Sequence, residues 1–254
     1  MMKRLTALFV VALAVAGVAT ARAELPPIIS RDLLFGNPER IEPKVSPDGR
    51  RLAWIAPDKS NVLQVWVKTI GQEDGRAVTA DKRRGIRRYV WAYDDRTIIY
   101  QQDSDGDENF HLFGVDLTSG NIRDLTPFQG VRAELADVNP RFPSSVLCTL
   151  NLRDRKLMDV YKIDLRTGAI ALDTQNPGDV GGWAIDDNQI VRGASVTLPD
   201  GGTELRVRSA LKAKWTSLLK VSQDEDLDLL DFSKDGRSVF LLTSVGTNAA
   251  RVVE

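Results

Sequence analysis

A turn signal returns along this chain at a nearly constant step. Asp48 lies in Ser46-Pro47-Asp48-Gly49, Asp94 follows it by 46 residues, and Asp186, in Ile185-Asp186-Asp187-Asn188, follows Asp94 by 92, twice that step. Asp235, in Ser233-Lys234-Asp235-Gly236, comes 49 residues later. The missing copy should fall near position 140, where Asn139-Pro140 stands as a degenerate turn. A second landmark keeps the period: Asp116-Leu117-Thr118-Ser119-Gly120 and Asp164-Leu165-Arg166-Thr167-Gly168 lie 48 apart. Two turn signals with one period mean repeated supersecondary units, each of which must bury its apolar faces against a neighbour.

The stretch Arg88–Thr126 shows what one unit contains. Trp91-Ala92-Tyr93 leads into the turn Asp94-Asp95, and Thr97–Gln101 is a β-branched and aromatic run suited to a pleated, buried strand. Asp105-Gly106 predicts a tight hairpin, because glycine accepts positive φ. Phe110–Leu117 alternates apolar with other residues, and Thr118-Ser119-Gly120 turns the chain into Ile122–Leu125. Four short antiparallel strands in roughly 40–50 residues describe one propeller blade. The pattern predicts an all-β chain, a β-propeller of four-stranded blades at about 41–79, 88–126, 131–174 and 180–221, with a partial fifth at 227–254. Trp54 and Tyr100 stand at equivalent places and should wedge between neighbouring blades. Pro199-Asp200-Gly201-Gly202 predicts a hairpin turn of the Asp105-Gly106 kind.

The first 23 residues follow a different rule. Lys3 and Arg4 precede the almost unbroken apolar run Leu5–Ala19, and Ala21-Arg22-Ala23 fits a small-x-small cleavage site. This is the pattern of a cleavable secretory signal peptide over 1–23, too short for the roughly 20 apolar residues of a spanning helix, so no stable membrane anchor is expected. The propeller portion then occupies 24–254, with an exported, periplasmic or secreted address. Cleavage would leave 31 basic and 35 acidic residues, a formal net charge of −4, which argues against nucleic acid. Ser30 should cap a helical turn through Arg31–Phe35 that Gly36 ends. The basic run Lys82–Arg88 reads as a solvated loop between blades.

Catalytic chemistry finds few supports. Acyl transfer by serine needs a histidine as base, and the chain holds one histidine, His111, inside a strand pattern. Gly193-Ala194-Ser195-Val196-Thr197 approaches a nucleophile elbow and fails at its last position. Carboxylates in Asp103–Asn109 suggest a hard cation, but glycine and glutamate do not fall where a calcium loop needs them. One histidine and one cysteine, Cys148, make a poor zinc set, and no glycine-rich phosphate loop is present. No catalytic residue, metal site or cofactor is expected. Cys148 should pack as a small buried apolar residue.

Four segments together, Asn37-Pro38-Glu39, Ser46-Pro47-Asp48-Gly49, Arg84-Gly85-Ile86-Arg87 and Asp105–Leu112 followed by Asp124-Leu125-Thr126-Pro127-Phe128, resemble the N-terminal propeller of exported prolyl oligopeptidase-family (S9) serine peptidases. Within it they are most similar to the dipeptidyl aminopeptidase and acylaminoacyl peptidase branch. The resemblance implies a propeller that caps an α/β-hydrolase domain, filters peptides by size and anchors their ends. It makes Asp105, Asp107, Glu108 and Asn109 candidate contacts for a peptide amino terminus. The family's catalytic residues have no matching positions here, so the expectation is a truncated, inactive propeller portion, prone to self-association through exposed blade edges. Two alternatives stand beside it: a stand-alone TolB-like periplasmic protein-binding propeller, and a propeller enzyme built around a central metal.

Overall fold

The computed structural model describes residues Pro27–Glu254. The expected leader lies outside the described residues. The chain divides after Gly36. In the first unit, the helix α1 (Arg31–Phe35) begins as its sequence requires, with the Ser30 hydroxyl accepting the amide of Leu33 at 3.3 Å. Gly36 ends it, as its sequence requires. Gly36 is extended (φ −64°, ψ 155°), not left-handed. Glycine is needed there because a Cβ would stand 2.3 Å from the Asp32 carbonyl oxygen.

The second unit is all-β among the described residues. The first sheet runs β1 (Ile41–Val45), β2 (Arg51–Pro57), β3 (Leu63–Thr69), β4 (Arg76–Ala77), and the second β5 (Tyr89–Trp91), β6 (Thr97–Gln102), β7 (His111–Asp116), β8 (Ile122–Asp124). The third follows with β9 (Ala133–Val138), β10 (Ser145–Asp154), β11 (Leu157–Asp164), β12 (Ile170–Thr174), and the fourth with β13 (Val180–Ile185), β14 (Val191–Thr197), β15 (Thr203–Val207), β16 (Thr216–Val221). A three-stranded sheet of β17 (Leu227–Phe232), β18 (Val239–Thr243) and β19 (Arg251–Val253) completes the set. Every sheet is an antiparallel meander in chain order, which is the architecture of propeller blades.

The aspartate turns explain the period. The Asp48 carboxylate accepts the Ser46 hydroxyl at 2.6 Å and the amide of Arg50 at 3.1 Å, and Asp94 and Asp186 accept amides of Thr97 and Asn188 at 2.8 and 2.9 Å. Asn139 plays the part in the degenerate copy, its side-chain oxygen accepting the amide of Arg141 at 2.9 Å. A short acceptor two residues upstream satisfies the turn's amides locally. The second landmark works identically twice: the carbonyls of Asp116 and Asp164 each accept a glycine amide, Gly120 and Gly168, at 2.7 Å.

Successive sheets bury apolar layers between them. Ala53, Ile55 and Val65 of the first sheet meet Tyr89, Ile98 and Tyr100 of the second. The opposite face of the second, with Ile99 and Leu112, meets Val146, Cys148 and Ile163 of the third. Leu147 and Val160 turn the other way, toward Val191 and Trp183, and Leu205 and Val221 meet Leu227 and Leu241 of the fifth sheet. Cys148 is fully buried, and burial pushes its thiol up to about 12. Tyr100 wedges between blades as expected. Trp54 lies on the opposite face of its sheet from Ala53 and Ile55 and stacks on its cross-strand partner Trp66, with ring centroids 6.4 Å apart. On the fifth sheet the face opposite Leu241 leaves Val252 61% exposed.

One turn reading is corrected and another holds. The β6–β7 connection is the wider loop Asp103–Phe110 rather than a two-residue hairpin, although Asp105 and Gly106 both take positive φ (54° and 91°). The β14–β15 turn is tight instead, closed by mutual backbone hydrogen bonds between Leu198 and the Gly201–Gly202 pair at 2.8 and 2.9 Å, so the two connections differ in kind. Among the described residues, no helix is long and apolar enough to cross a membrane.

Ile98, fully buried between the first two sheets, offers a test of this layering. Ile98→Ala should cost about 2–5 kcal/mol, whereas Val252→Ala on the uncovered face should cost under about 0.5 kcal/mol. Urea unfolding of both variants measures the difference, and equal losses would contradict the layered account.

Candidate functional site

Antiparallel meanders place all the second-to-third-strand connections, and all the linkers between sheets, at one end of the strands. At that end the loop Asp103–Phe110 faces the linker that leads from β4 to β5, and a cleft of about 370 Å³ lies between them.

The linker is pinned from beneath. Gln64, 1% exposed on β3, donates its amide to the Asp81 carbonyl at 2.7 Å, while its oxygen accepts the Asp81 amide at 3.0 Å and the Thr79 hydroxyl at 2.8 Å. The Asp81 carboxylate in turn accepts the side-chain amide of Gln102 at 2.5 Å and the backbone amide of Gly85. Gly85 is left-handed (φ 74°) and a Cβ there would meet Leu63 at 2.9 Å. Ile86 then plugs into the apolar layer, fully buried. The basic run is therefore a linker between sheets, as read, but an anchored one. Its Arg83 pairs with Asp105 at 3.0 Å and its Arg84 with the buried Asp103 at 3.4 Å.

The four candidate contacts divide into different tasks. The Asp107 carboxylate accepts the amides of Ser104 and Asn109 at 3.2 and 3.1 Å and the Asn109 side-chain amide at 3.3 Å, so Asp107 and Asn109 hold the loop's shape. Asp105 is engaged by Arg83. Glu108 donates its backbone amide to Asp103 at 3.3 Å and sits at φ 58°, exposed. Its carboxylate engages none of the described residues in a hydrogen bond or ion pair, and it alone of the four is spare for a ligand. Asp81 and Gln102, which line the cleft, and Gln64 beneath it are not marked by the sequence pattern; Asp81 pairs with Gln102 across 21 residues and with Gln64 across 17, and no local spacing marks them.

Chemistry at this end is limited. His111 accepts or donates at Nδ1 with Asp124 Oδ2 at 2.7 Å and stacks on Phe113, with centroids 6.3 Å apart. No serine hydroxyl joins that pair among the described residues. Ser195 sits inside β14, paired with Gly182 and Leu205, and Gly193 is there because the fifth sheet's Leu229 would lie 2.9 Å from a Cβ. Among the described residues, no group of three or more His, Cys, Asp and Glu side chains is arranged around a metal position. Tyr100 closes the cleft floor, and burial, with Asp81 and Asp124 nearby, pushes its phenol up to about 12.

No protein-family model matches the chain. Over 226 residues it is 38% identical to dipeptidyl aminopeptidase BIII of Pseudoxanthomonas mexicana, covering 88% of this chain and 32% of that protein. Dipeptidyl peptidase family member 6 of Caenorhabditis elegans is 24% identical over 232 residues, covering 86% of this chain and 31% of the relative. The chain thus spans about a third of the length of the curated relatives it matches. Among solved structures, the β-propeller domain of the Trilobed protease from Pyrococcus furiosus superimposes with a TM-score of 0.53 at 14% identity, over 81% of this chain and 63% of that one. At that identity the likeness speaks for the propeller fold alone.

Burial alone would raise the Asp107 carboxyl, but hydrogen bonds from Asn109 and Ser104, with His111 nearby, hold it below the usual aspartate range. A depressed folded-state pKa stabilises the loop above the unfolded value, and that contribution disappears as pH falls through the folded one. The amide signals of Ser104 and Asn109 should therefore titrate together with a midpoint below about 3.9, and Asp107→Ala should produce the acid-form spectrum at neutral pH. An NMR titration with a midpoint at or above that value would contradict the capping role.

Proposed function

The chain belongs to the propeller portion of the prolyl oligopeptidase (S9) peptidase family, and from that premise we propose that it is the non-catalytic part of a dipeptidyl aminopeptidase, gating peptides and holding their amino end. The observation that carries this reading is Glu108. In a tip whose other acids are engaged by Arg83, Arg84 or the loop's own amides, its carboxylate is exposed and spare, on the same loop whose Asp103, Ser104 and Asp105 line the cleft. A charge-assisted hydrogen bond from an ammonium group is what such a carboxylate offers. The left-handed backbone at Glu108 fixes where that carboxylate points, and the Asp107 cap fixes the loop that carries it.

Among the described residues, no nucleophile, imidazole and oxyanion hole are brought together for this role. Catalysis by serine requires a nucleophile, an imidazole and an oxyanion hole acting as a unit. The single imidazole is taken up by Asp124 and Phe113, and the elbow-like serine lies in mid-strand.

Titrating the purified chain with a dipeptidyl p-nitroanilide, in free-amine and N-acetyl forms, tests the proposal. The free amine should bind about tenfold more tightly, the worth of one hydrogen bond to a charged group. Glu108→Gln should remove that difference while Asp105→Asn leaves most of it, and no p-nitroaniline should be released. Equal binding of the two forms to the parent chain, or turnover with labelling of one of its serines by a fluorophosphonate, would overturn it.

A further inference from the structure

A second, larger cleft of about 580 Å³ opens between the second and third sheets, at the same end of the strands as the loop and linker. The chain enters it twice, once where the linker becomes β5 and once where β9 begins. Those two entries bring Arg87, Arg88 and Arg132 to line one cleft, although Arg132 is more than forty positions from the other two in sequence. The floor is apolar: Ile99 and Leu112 are 1% exposed and belong to the layer between the two sheets. The backbone of Arg132 is set by its amide, which donates to the side chain of the buried Asn151 at 2.6 Å.

The charge at this rim is unbalanced. Three arginines line the cleft and one acidic residue, Glu134, accompanies them, its carboxylate accepting from Arg132 at 2.5 Å. No carboxylate among the described residues lies within ion-pairing distance of Arg87 or Arg88. This happens in a chain whose formal net charge is −1, so the rim opposes the charge of the whole molecule rather than following it. Guanidinium groups present paired N–H donors in a plane that matches a carboxylate. A concave site with an apolar floor and a few convergent charged groups, at this volume, suits a short peptide segment.

We propose that this cleft binds a peptide through a carboxylate, either an acidic side chain or a free C-terminus, with Arg87, Arg88 and Arg132 as donors and the Ile99–Leu112 floor taking a neighbouring apolar residue. The proposal rests on the reading above only in taking the ligand to be a peptide. It assigns this end of the propeller two opposite preferences: an acid at the loop tip for an ammonium, and an arginine rim for an anion.

The probes are acetyl-Phe-Glu-amide, acetyl-Phe-Gln-amide, acetyl-Phe-Phe with a free carboxylate, and its amide, each titrated calorimetrically into the purified chain at low ionic strength. A carboxylate should improve binding about tenfold over its neutral counterpart, and the pair that shows the gain identifies side chain or C-terminus as the source. Arg88→Gln combined with Arg132→Gln should abolish the gain, while Arg88→Lys combined with Arg132→Lys should keep part of it. All these side chains are at the surface, so the variants should melt like the parent, which a thermal scan checks. Equal affinity for charged and neutral probes, or a gain that survives the glutamine variants, would overturn the proposal. Every probe is acetylated, so Glu108 has no ammonium to meet, and failure here leaves the amine test of the gating reading standing on its own.

Discussion

The sheets of this chain cover their apolar faces by lying against neighbouring sheets, and the third is covered on both sides. Strand side chains alternate between faces, so β10 sends Cys148 toward the second sheet and Leu147 toward the fourth. The largest buried clusters each draw on two neighbouring sheets. At the aspartate-turn end the layers are also stitched by arginines that reach one sheet onward. Arg51 donates to the Asp95 carbonyl at 2.9 Å, Arg123 to Leu165 at 2.9 Å, and Arg192 to Gly236 at 3.0 Å. At the opposite end threonines serve the joints within the first two sheets: the hydroxyls of Thr79 and Thr126 accept the amides of Val65 and Leu112 at 2.9 and 3.0 Å.

That division of labour decides where function can sit. The turn end is closed by local caps and inter-sheet arginines. The other end carries the linkers between sheets, among them the longest connection, from β4 to β5, and the loop Asp103–Phe110, which is where a rigid scaffold displays loops. The loop Asp103–Phe110 and the Lys82–Arg88 linker are nevertheless held in place, one by Asp107 and the other by Asp81 and Gln64. Side chains on a pinned loop lose less freedom on binding than those on a loose one. Glu108 and the three arginines are therefore presented on a prepared surface.

The architecture was legible because its cause is local. A carboxylate two residues before an amide it caps leaves a spacing in the sequence, and the spacing survives even where Asn139 replaces the acid. The positive φ at Asp105 and Gly106 was legible for the same reason, while the width of their loop was not, since it depends on Asp103 reaching across to Arg84. The Trp54 environment was half legible: its register matches Tyr100, yet its layer depends on which sheet covers that face. Least legible were the two clefts. Asp81 meets Gln102, and Arg88 and Arg132 come to line one cleft, only after the chain has folded, and no periodicity records such a juxtaposition.

If stability is borrowed from neighbours in this way, it should be graded along the chain. Native-state hydrogen exchange measures that gradient residue by residue. The strands β10 and β11, whose sheet is covered on both faces, should show the slowest exchange, and β17–β19, where Val252 is uncovered, the fastest among the sheets. Uniform protection across all five sheets, or a fifth sheet as protected as the third, would contradict the account.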